Sequence, residues 1–312
     1  MRPITDTKKL KKVVNLAEQS ETVVTHEITD DKAFKEWLVN LVSTRANIKS
    51  IVAEKLFDAN GLPRMKKALT HWSMGEALDY EQLETIGDKT VNKCFMWYLY
   101  RRFPELRNDE RGNFKLTEAF RQLVKKGTLS KYCEEIGLNK FIRYKEYVYL
   151  DSNGVRRKIE EDESLREDVF EAFCGALEDL VDNRIEFTVG YSTVYALMSS
   201  FLDTQEISID LDELVSSVTK LKEIFDVEKK QGRANKHEYK TFFNTDIIPP
   251  TYNVSLFLTF EDTNLPSGRT APPEKKFTVS NISRKEEGQD QLALQALEWL
   301  KKNLKMEWKK PN

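Results

Sequence analysis

Long apolar runs are missing from this 312-residue chain. No stretch approaches the ~20 consecutive apolar residues that cross a bilayer, which argues against a membrane protein. Met1–Gln19 has no apolar core segment, so no secretory leader is expected there and an intracellular location, cytoplasmic or nuclear, is. Cysteine is scarce: Cys94, Cys133 and Cys174 are odd in number, widely spaced and form no CxxC, which disfavours a disulfide framework or a zinc site and fits a reducing compartment. Histidine is equally scarce. With only His26, His71 and His237, a mechanism built on a Ser-His pair has little to draw on. Charge of one sign is missing too: 49 Lys+Arg against 51 Asp+Glu give a net charge of −2, so any nucleic-acid contact must come from local clusters or from bound cations.

What is present describes a folded protein. Hydrophobic residues make up 40% and aromatics 11%, enough for a core, while 32% charged residues suit a soluble surface. The length accommodates two ordinary domains. The first 30 residues read as an accessory arm, in which Lys8–Lys12 is a basic cluster more in keeping with a solvated helix face than with a nuclear address. From Asp31 helical patterns follow one another. Phe34, Trp37, Leu38 and Leu41 recur at helical spacing, Leu83–Leu99 reads as one long helix closed by Pro104, and Phe120–Ile136 as another ended by Gly137. Between residues 144 and 163 a hairpin is expected, with Asn153-Gly154 as its turn. Helix resumes at Ser164 and again over Thr193–Phe201. After about residue 205 the texture becomes α-β-β-β-α: helix over Leu211–Val227, strands over Lys236–Phe243, Tyr252–Phe260 and Lys276–Ile282, and an amphipathic helix over Gly288–Leu304. The expected architecture is therefore mainly α, with an N-terminal extension at 1–30, a helical domain at 31–205 and an α+β module at 206–312.

Two acidic blocks stand out. Glu84 and Asp88 lie at i,i+4, and Asp168 and Glu171 at i,i+3, so each pair shares one face of a helix. Paired acids on a helix are ordinarily just hydrated. Here the neighbours are apolar (Val169, Phe170, Ala172 and Phe173 around one pair, Val91, Cys94 and Phe95 beyond the other), and carboxylates against an apolar wall are costly unless a cation compensates them. Gly87 and Gly175 each cost a helix interior roughly 1 kcal/mol relative to alanine, which makes sense where two helices, or a helix and a ligand, must approach closely. Four converging carboxylates would form an oxygen-rich site for a hard divalent ion such as Mg²⁺. Phosphodiester hydrolysis is the chemistry such a site suits, and it needs no histidine.

Four segments, in order, carry a family resemblance. Tyr80–Asp88 (YEQLETIGD) closely resembles the ribonuclease III signature, roughly N-E-R-L-E-F-L-G-D. Ala68–Ser73 (ALTHWS) is similar to the family's segment upstream, Leu123–Leu129 to its L-V-x-x-x-x-L stretch, and Asp168–Ala176 to its D-x-x-E-A-L-I-G-A block. The resemblance implies that Glu84, Asp88, Asp168 and Glu171 are the catalytic carboxylates and Mg²⁺ ligands, that Mn²⁺ can substitute, and that Glu81 supports them or faces substrate. It implies endonucleolytic cleavage of double-stranded RNA by a homodimer, leaving staggered products with 5′-phosphate and 3′-hydroxyl ends. The competing expectation is a catalytically silent protein of the same fold that binds RNA or a ribonucleoprotein structurally; an unrelated acidic scaffold would not explain the ordered segments. Departures fall at Thr85, where the family has a phenylalanine that inserts into the partner subunit, at Tyr80 and Gln82, which replace Asn and Arg, and at Lys89, which replaces a small residue.

The C-terminal module resembles a double-stranded-RNA-binding domain, which reads duplex shape across the minor grooves. The resemblance implies that Glu223 contacts RNA from the first helix, and Arg284 and Lys285 from the start of the second. Yet the stretch Arg284–Gln289 is two-thirds acidic or neutral, the segment Asn244–Thr251 lacks the usual G-P-x-H, and residues 206–312 hold 17 basic against 17 acidic residues. A weak grip on RNA is as consistent with this composition as a firm one.

Overall fold

A computed structural model describes residues 24–75, 79–124, 127–150, 156–244, 251–261 and 270–309, with the side chains of 147–158 left aside. The Lys8–Lys12 cluster and the Asn153-Gly154 turn lie outside the described residues. The chain divides into two compact units between Ile207 and Ser208.

The first unit is a helical assembly with a small sheet. Its elements are β1 (Val24–His26), α1 (Asp31–Arg45), α2 (Ser50–Leu56), α3 (Gly61–Ala68), α4 (Glu81–Arg102), α5 (Gly112–Leu123), α6 (Thr128–Glu135), β2 (Tyr144–Leu150), β3 (Arg156–Ile159), α7 (Glu163–Arg184) and α8 (Val189–Leu202). Helix starts follow capping chemistry: Asp30 accepts from the Ala33 N–H at 2.9 Å and Asp162 from the Leu165 N–H at 2.8 Å, each satisfying a donor that the first turn leaves open. The two longest helices, α4 and α7, are central. Leu83, Val91, Cys94, Phe95 and Leu99 on one, and Val169, Phe170, Phe173, Cys174 and Leu177 on the other, are buried. All three cysteines are free and buried.

Two expectations change here. The single helix expected over Phe120–Ile136 is two, α5 and α6, because Gly127 takes a left-handed conformation (φ 98°) and starts α6 afresh. The N-terminal arm also contributes structure, since β1 joins the hairpin: Val24 pairs with Glu146 and His26 with Tyr144, on which its ring stacks at 4.2 Å. The hairpin itself holds, with Tyr147 opposite Ile159 and Leu150 opposite Arg156.

The second unit follows the expected α-β-β-β-α order. It comprises a short α9 (Leu211–Leu214), α10 (Ser217–Lys230), the antiparallel strands β4 (Ala234–Asn244), β5 (Thr251–Phe260) and β6 (Glu274–Ile282) in that order, and α11 (Lys285–Trp299), which runs into a π turn over Leu300–Leu304. The helix expected over Leu211–Val227 is split because Ser216 caps α10, its hydroxyl accepting from the Thr219 N–H at 3.2 Å. Alternate residues of β5 (Val254, Leu256, Leu258, Phe260) are buried against Leu221, Phe225, Leu292 and Ala296 of the two helices. Among the described residues no helix is long and apolar enough to cross a membrane.

Candidate active site

The site begins with a close crossing of α4 and α7. A methyl group built on Gly87 would overlap the Glu171 carbonyl oxygen, and one on Gly175 would overlap the carbonyl of Leu83. Backbone therefore touches backbone at this crossing, which only glycine permits. The consequence is placement. Glu84 and Asp88 bracket Gly87 on one helix, while Asp168 and Glu171 precede Gly175 by one to two turns on the other, so both acidic pairs flank the same contact.

All four carboxylates are half-buried and feel one another. Glu84 is pushed up to about 7, first by burial and then by the negative charge of Asp168, with Glu81, Asp88 and Asp79 adding to it. Glu171 is pushed up to about 8, again by burial first and then by Asp88, Asp168 and Glu84. Asp88 is otherwise engaged. It accepts from Lys89 Nζ at 2.5 Å and from Asn92 Nδ2 at 2.6 Å, and the Lys89 ammonium it holds is raised above the usual lysine range by that bond. Asp168 accepts from the Tyr80 hydroxyl at 3.2 Å.

Among the described residues no three acidic, histidine or cysteine side chains are arranged to hold an ion between them. Four like charges repel, and Asp88 and Asp168 turn to other donors. The donor set nevertheless suits a divalent cation: hard, partly desolvated carboxylate oxygens, of which Glu84 and Glu171 are raised by burial and then by the neighbouring negative charges. These residues fit the ion in the chemistry of their donors. Glu81 is exposed at the start of α4, its N–H bonded to Asp79 Oδ1 at 3.2 Å.

The other two sequence segments act as buttresses. In Ala68–Ser73, the His71 N–H donates to the Arg143 carbonyl at 2.8 Å, and Ser73 Oγ lies 2.8 Å from His71 Nδ1 while accepting from the Lys145 N–H at 2.9 Å. Burial depresses His71 to about 4, so it stays neutral, and its ring packs 5.8 Å from that of Tyr80. In Leu123–Leu129 the Gly127 N–H donates to Glu167, and just beyond it Ser130 Oγ accepts from Arg166 Nε at 2.8 Å. Both fix the first turn of α7 next to Asp168. Sequence reasoning passed over His71, Ser73 and Asn92 as site-supporting residues; only Asn92, four residues beyond Asp88 on the same helix, carried a local signal.

The residues expected to contact RNA sit on two helices of the second unit. Trp308 Nε1–H donates to Glu223 Oε2 at 2.5 Å, and Lys220 Nζ lies 5.2 Å from the same indole. Arg284 and Lys285 are exposed at the start of α11, followed directly by Glu286 and Glu287 in its first turn. Acids there suit the helix dipole but counter the positive field that attracts phosphate.

A helical unit whose two central helices cross on glycine and carry paired acids at the crossing fits the carboxylate site that the sequence resemblance implies. Residues 81–178, which run from the start of α4 into α7, match the Ribonuclease III domain family. The helical unit thus carries a match to a ribonuclease III domain, and the chain is similar over about half its length to proteins with ribonuclease 3 names. It is 33% identical over 164 residues to a protein of Frog virus 3 (isolate Goorha) that carries a ribonuclease 3 name, a match covering 52% of this chain and 42% of that protein. It is 29% identical over 208 residues to a similarly named protein of Invertebrate iridescent virus 6, covering 61% of this chain and 68% of the relative. With "Ribonuclease 3" of Lactobacillus acidophilus it shares 29% identity over 185 residues, 56% of this chain and 75% of the relative. The match thus spans less than half of the Frog virus 3 protein.

Proposed function

We propose that the protein is a divalent-metal-dependent endoribonuclease that cleaves double-stranded RNA. The observation that carries this reading is the meeting of Glu84, Asp88, Asp168 and Glu171 around a glycine crossing, with Glu84 and Glu171 raised by burial and then by their shared negative field. Glu84, Asp88, Asp168 and Glu171 would hold the ion, Mg²⁺ or in its place Mn²⁺. Bound there, a divalent cation supplies positive charge at the scissile phosphate and acidifies water. The protein's own part is to hold the carboxylates rigidly, through the backbone contact and the Tyr80 hydroxyl, and to place them at the edge of an apolar core. Hydrolysis joins the water oxygen to phosphorus and breaks the bond from phosphorus to the 3′ oxygen, leaving 5′-phosphate and 3′-hydroxyl ends.

The test is a labelled long RNA duplex incubated with the full chain. Cleavage to staggered fragments is expected in Mg²⁺ or Mn²⁺, with none in EDTA and none by the Glu171→Gln protein. Cleavage that persists in EDTA would overturn the metal reading; an inactive wild type that still binds duplex would favour the silent, structural alternative.

Staggered cutting needs two sites, and we propose a homodimer formed through α4. Thr85 does not project as an anchor, since its hydroxyl turns back to the Glu81 carbonyl at 3.0 Å. The neighbouring Ile86 is 51% exposed, and Trp97 (43%) and Tyr100 (41%) follow it along the same helical face, away from the carboxylates. Ile86→Lys is expected to shift the protein from dimer to monomer in light scattering at micromolar concentration, while its unfolding midpoint stays close to that of the wild-type monomer. A wild type that is monomeric at all concentrations would refute the dimer. In the second unit, we infer a secondary role in gripping RNA, because Glu223 is taken by Trp308 and the start of α11 is acidic. Charge reversal at Lys285 is accordingly expected to change duplex affinity by less than about threefold in a filter-binding assay, below the roughly tenfold that 1.4 kcal/mol would give.

A further inference from the structure

The second unit turns outward a sheet face that its own helices leave uncovered. Alternate residues of β5 are buried against α10 and α11, so the residues between them, Asn253, Ser255 and Phe257, look the other way. The strand register extends that face. Phe257 sits between Glu238 of β4 and Lys276 of β6, the next row is Lys240, Ser255 and Thr278, and Phe242 follows opposite Asn253. Two observations set this face apart from an ordinary solvated sheet. The ammonium groups of Lys240 and Lys276 both lie over the Phe257 ring, 5.0 and 5.2 Å from its centre. Phe242 is 64% exposed, and no ring among the described residues packs on it. Lysine stems commonly shield an aromatic ring at a surface, which accounts for Phe257 alone. It does not account for a bare ring two rows further on.

Charge of one sign gathers where the rings are. Glu238 is paired with Lys236 at 3.0 Å, and Glu274 lies one row beyond Phe257, on the side away from Phe242. Lys240 stands in the row between the two rings and Lys276 beside Phe257, and no acid among the described residues bonds to either. The helical side of the unit is the opposite, with Glu223 held by Trp308 and Glu286 and Glu287 in the first turn of α11.

We propose that this outer sheet face binds single-stranded RNA, with one base stacked on Phe257, another on Phe242, and phosphates at Lys240 and Lys276. Aromatic rings interleaved with cations are the means by which a protein holds an unpaired strand, because every base has a face to stack. Four strand residues and one strand spacing separate the two ring positions, about 14 Å, so a chain that reaches both is drawn out of its stack. A duplex keeps its base faces stacked inside and meets only the lysines. A lysine over an exposed ring is a weak contact, and a stacked base replaces it and frees the ammonium for phosphate. The hydroxyls of Ser255 and Thr278, in the row between the rings, suit the ribose 2′-hydroxyl that distinguishes RNA. The inference stands apart from the nuclease reading, since it needs neither a metal ion nor the four carboxylates.

The experiment follows the fluorescence anisotropy of a labelled, non-pairing RNA of about ten nucleotides with the full chain in EDTA, which keeps metal-dependent cleavage out of the reading. Phe257→Leu and Phe242→Leu keep apolar bulk and remove the aromatic face. Each is expected to weaken binding about tenfold, and Phe242→Leu to do so with an unchanged unfolding midpoint, because its ring is not packed. Replacing Lys240 and Lys276 together by Gln should lessen the slope of log affinity against log salt by about 1.4, roughly 0.7 for each phosphate given up. Lys285→Gln, at the start of α11, should change nothing. A duplex of the same length should bind Phe242→Leu as it binds wild type. Wild-type affinity for the single strand in Phe242→Leu would overturn the inference, as would an equal loss for the duplex. A Phe242→Leu protein that changes its oligomeric state in light scattering but not its RNA affinity would assign the face to a second copy and overturn it too. A wild type that cuts duplex in Mg²⁺ but binds no single strand in EDTA would remove the inference and leave the nuclease reading standing. Single-strand binding that depends on both rings, in a protein that cuts no duplex, would uphold the inference and remove the nuclease reading.

Discussion

A Glu171→Gln protein is expected to lose cleavage by at least about 10³-fold, and at the same time to unfold at a higher temperature than wild type when metal is absent. The first effect follows from the loss of one of four oxygen donors at a site whose work is electrostatic. The second follows from the charge balance of the metal-free site. Glu171 is raised to about 8 in the folded protein, through burial and then the fields of Asp88, Asp168 and Glu84. An unfolded chain has no such environment and ionises near the ordinary glutamate value of about 4.3. Between these values the folded state holds a proton that the unfolded state has released, so the stability of the wild type falls as pH rises from about 4.3 toward 8. Glutamine has no proton to lose and escapes that decline. The expected pattern is a Tm for Glu171→Gln above wild type at pH 8, a difference that closes as the pH is lowered to 4.5, and a reversal on adding Mg²⁺, which stabilises only the protein that binds it. Solvent reaches this half-open site and screens part of the repulsion, so a shift of a few degrees is the scale to look for. Equal Tm values at pH 8 without metal would mean that the carboxylates do not repel one another in the folded protein.

Stability given up at the site is in keeping with what was legible in the sequence and what was not. The acidic pairs and their glycines could be read because each lies within one helical turn or two, where side-chain periodicity dictates which residues share a face. That Gly87 and Gly175 meet each other, rather than a ligand, is a tertiary fact, although their cost to a helix already signalled a close approach. Tyr80 was visible only as a departure from a motif, because its contact with Asp168 spans 88 residues. The same limit hid β1, three residues that become a strand by pairing with Tyr144–Glu146 far along the chain. The break at Gly127 went unread for a different reason. A lone glycine inside an apolar helical pattern is tolerated as often as it interrupts, and what decides here is the acceptor supplied by Glu167 on another helix. In the second unit the strand order was legible from alternation, whereas the occupation of Glu223 by Trp308, 85 residues on, was not.

The glycine crossing leads to the second large effect. Gly87→Ala should help the helix locally, since alanine is favoured over glycine by roughly 1 kcal/mol in a helix interior. Packing opposes this. The added methyl would overlap the Glu171 carbonyl oxygen and come within 3.0 Å of the Gly175 backbone nitrogen, and neither is a flexible side-chain end that can swing aside. Relief requires α4 and α7 to separate, which opens the contact between the two longest helices of the unit and moves Glu84 and Asp88 away from Asp168 and Glu171 together. Overpacking of a close-packed interior costs about 1–3 kcal/mol, and backbone-to-backbone overlap belongs at the upper end. For a unit of this size that corresponds to a fall in Tm of roughly 6–12 °C. Because the chain has two compact units, a calorimetric scan is the proper readout. The transition of residues 24–207 should move while that of the C-terminal unit holds its position. Cleavage and Mn²⁺ affinity should fall together in Gly87→Ala, in contrast to Glu171→Gln, where activity is lost and stability gained. Gly175→Ala should reproduce the fall through the Leu83 carbonyl. A Gly87→Ala protein that is more stable than wild type and still cleaves would show that helix propensity outweighs the crossing, and that the two acidic pairs are held together by something other than this contact.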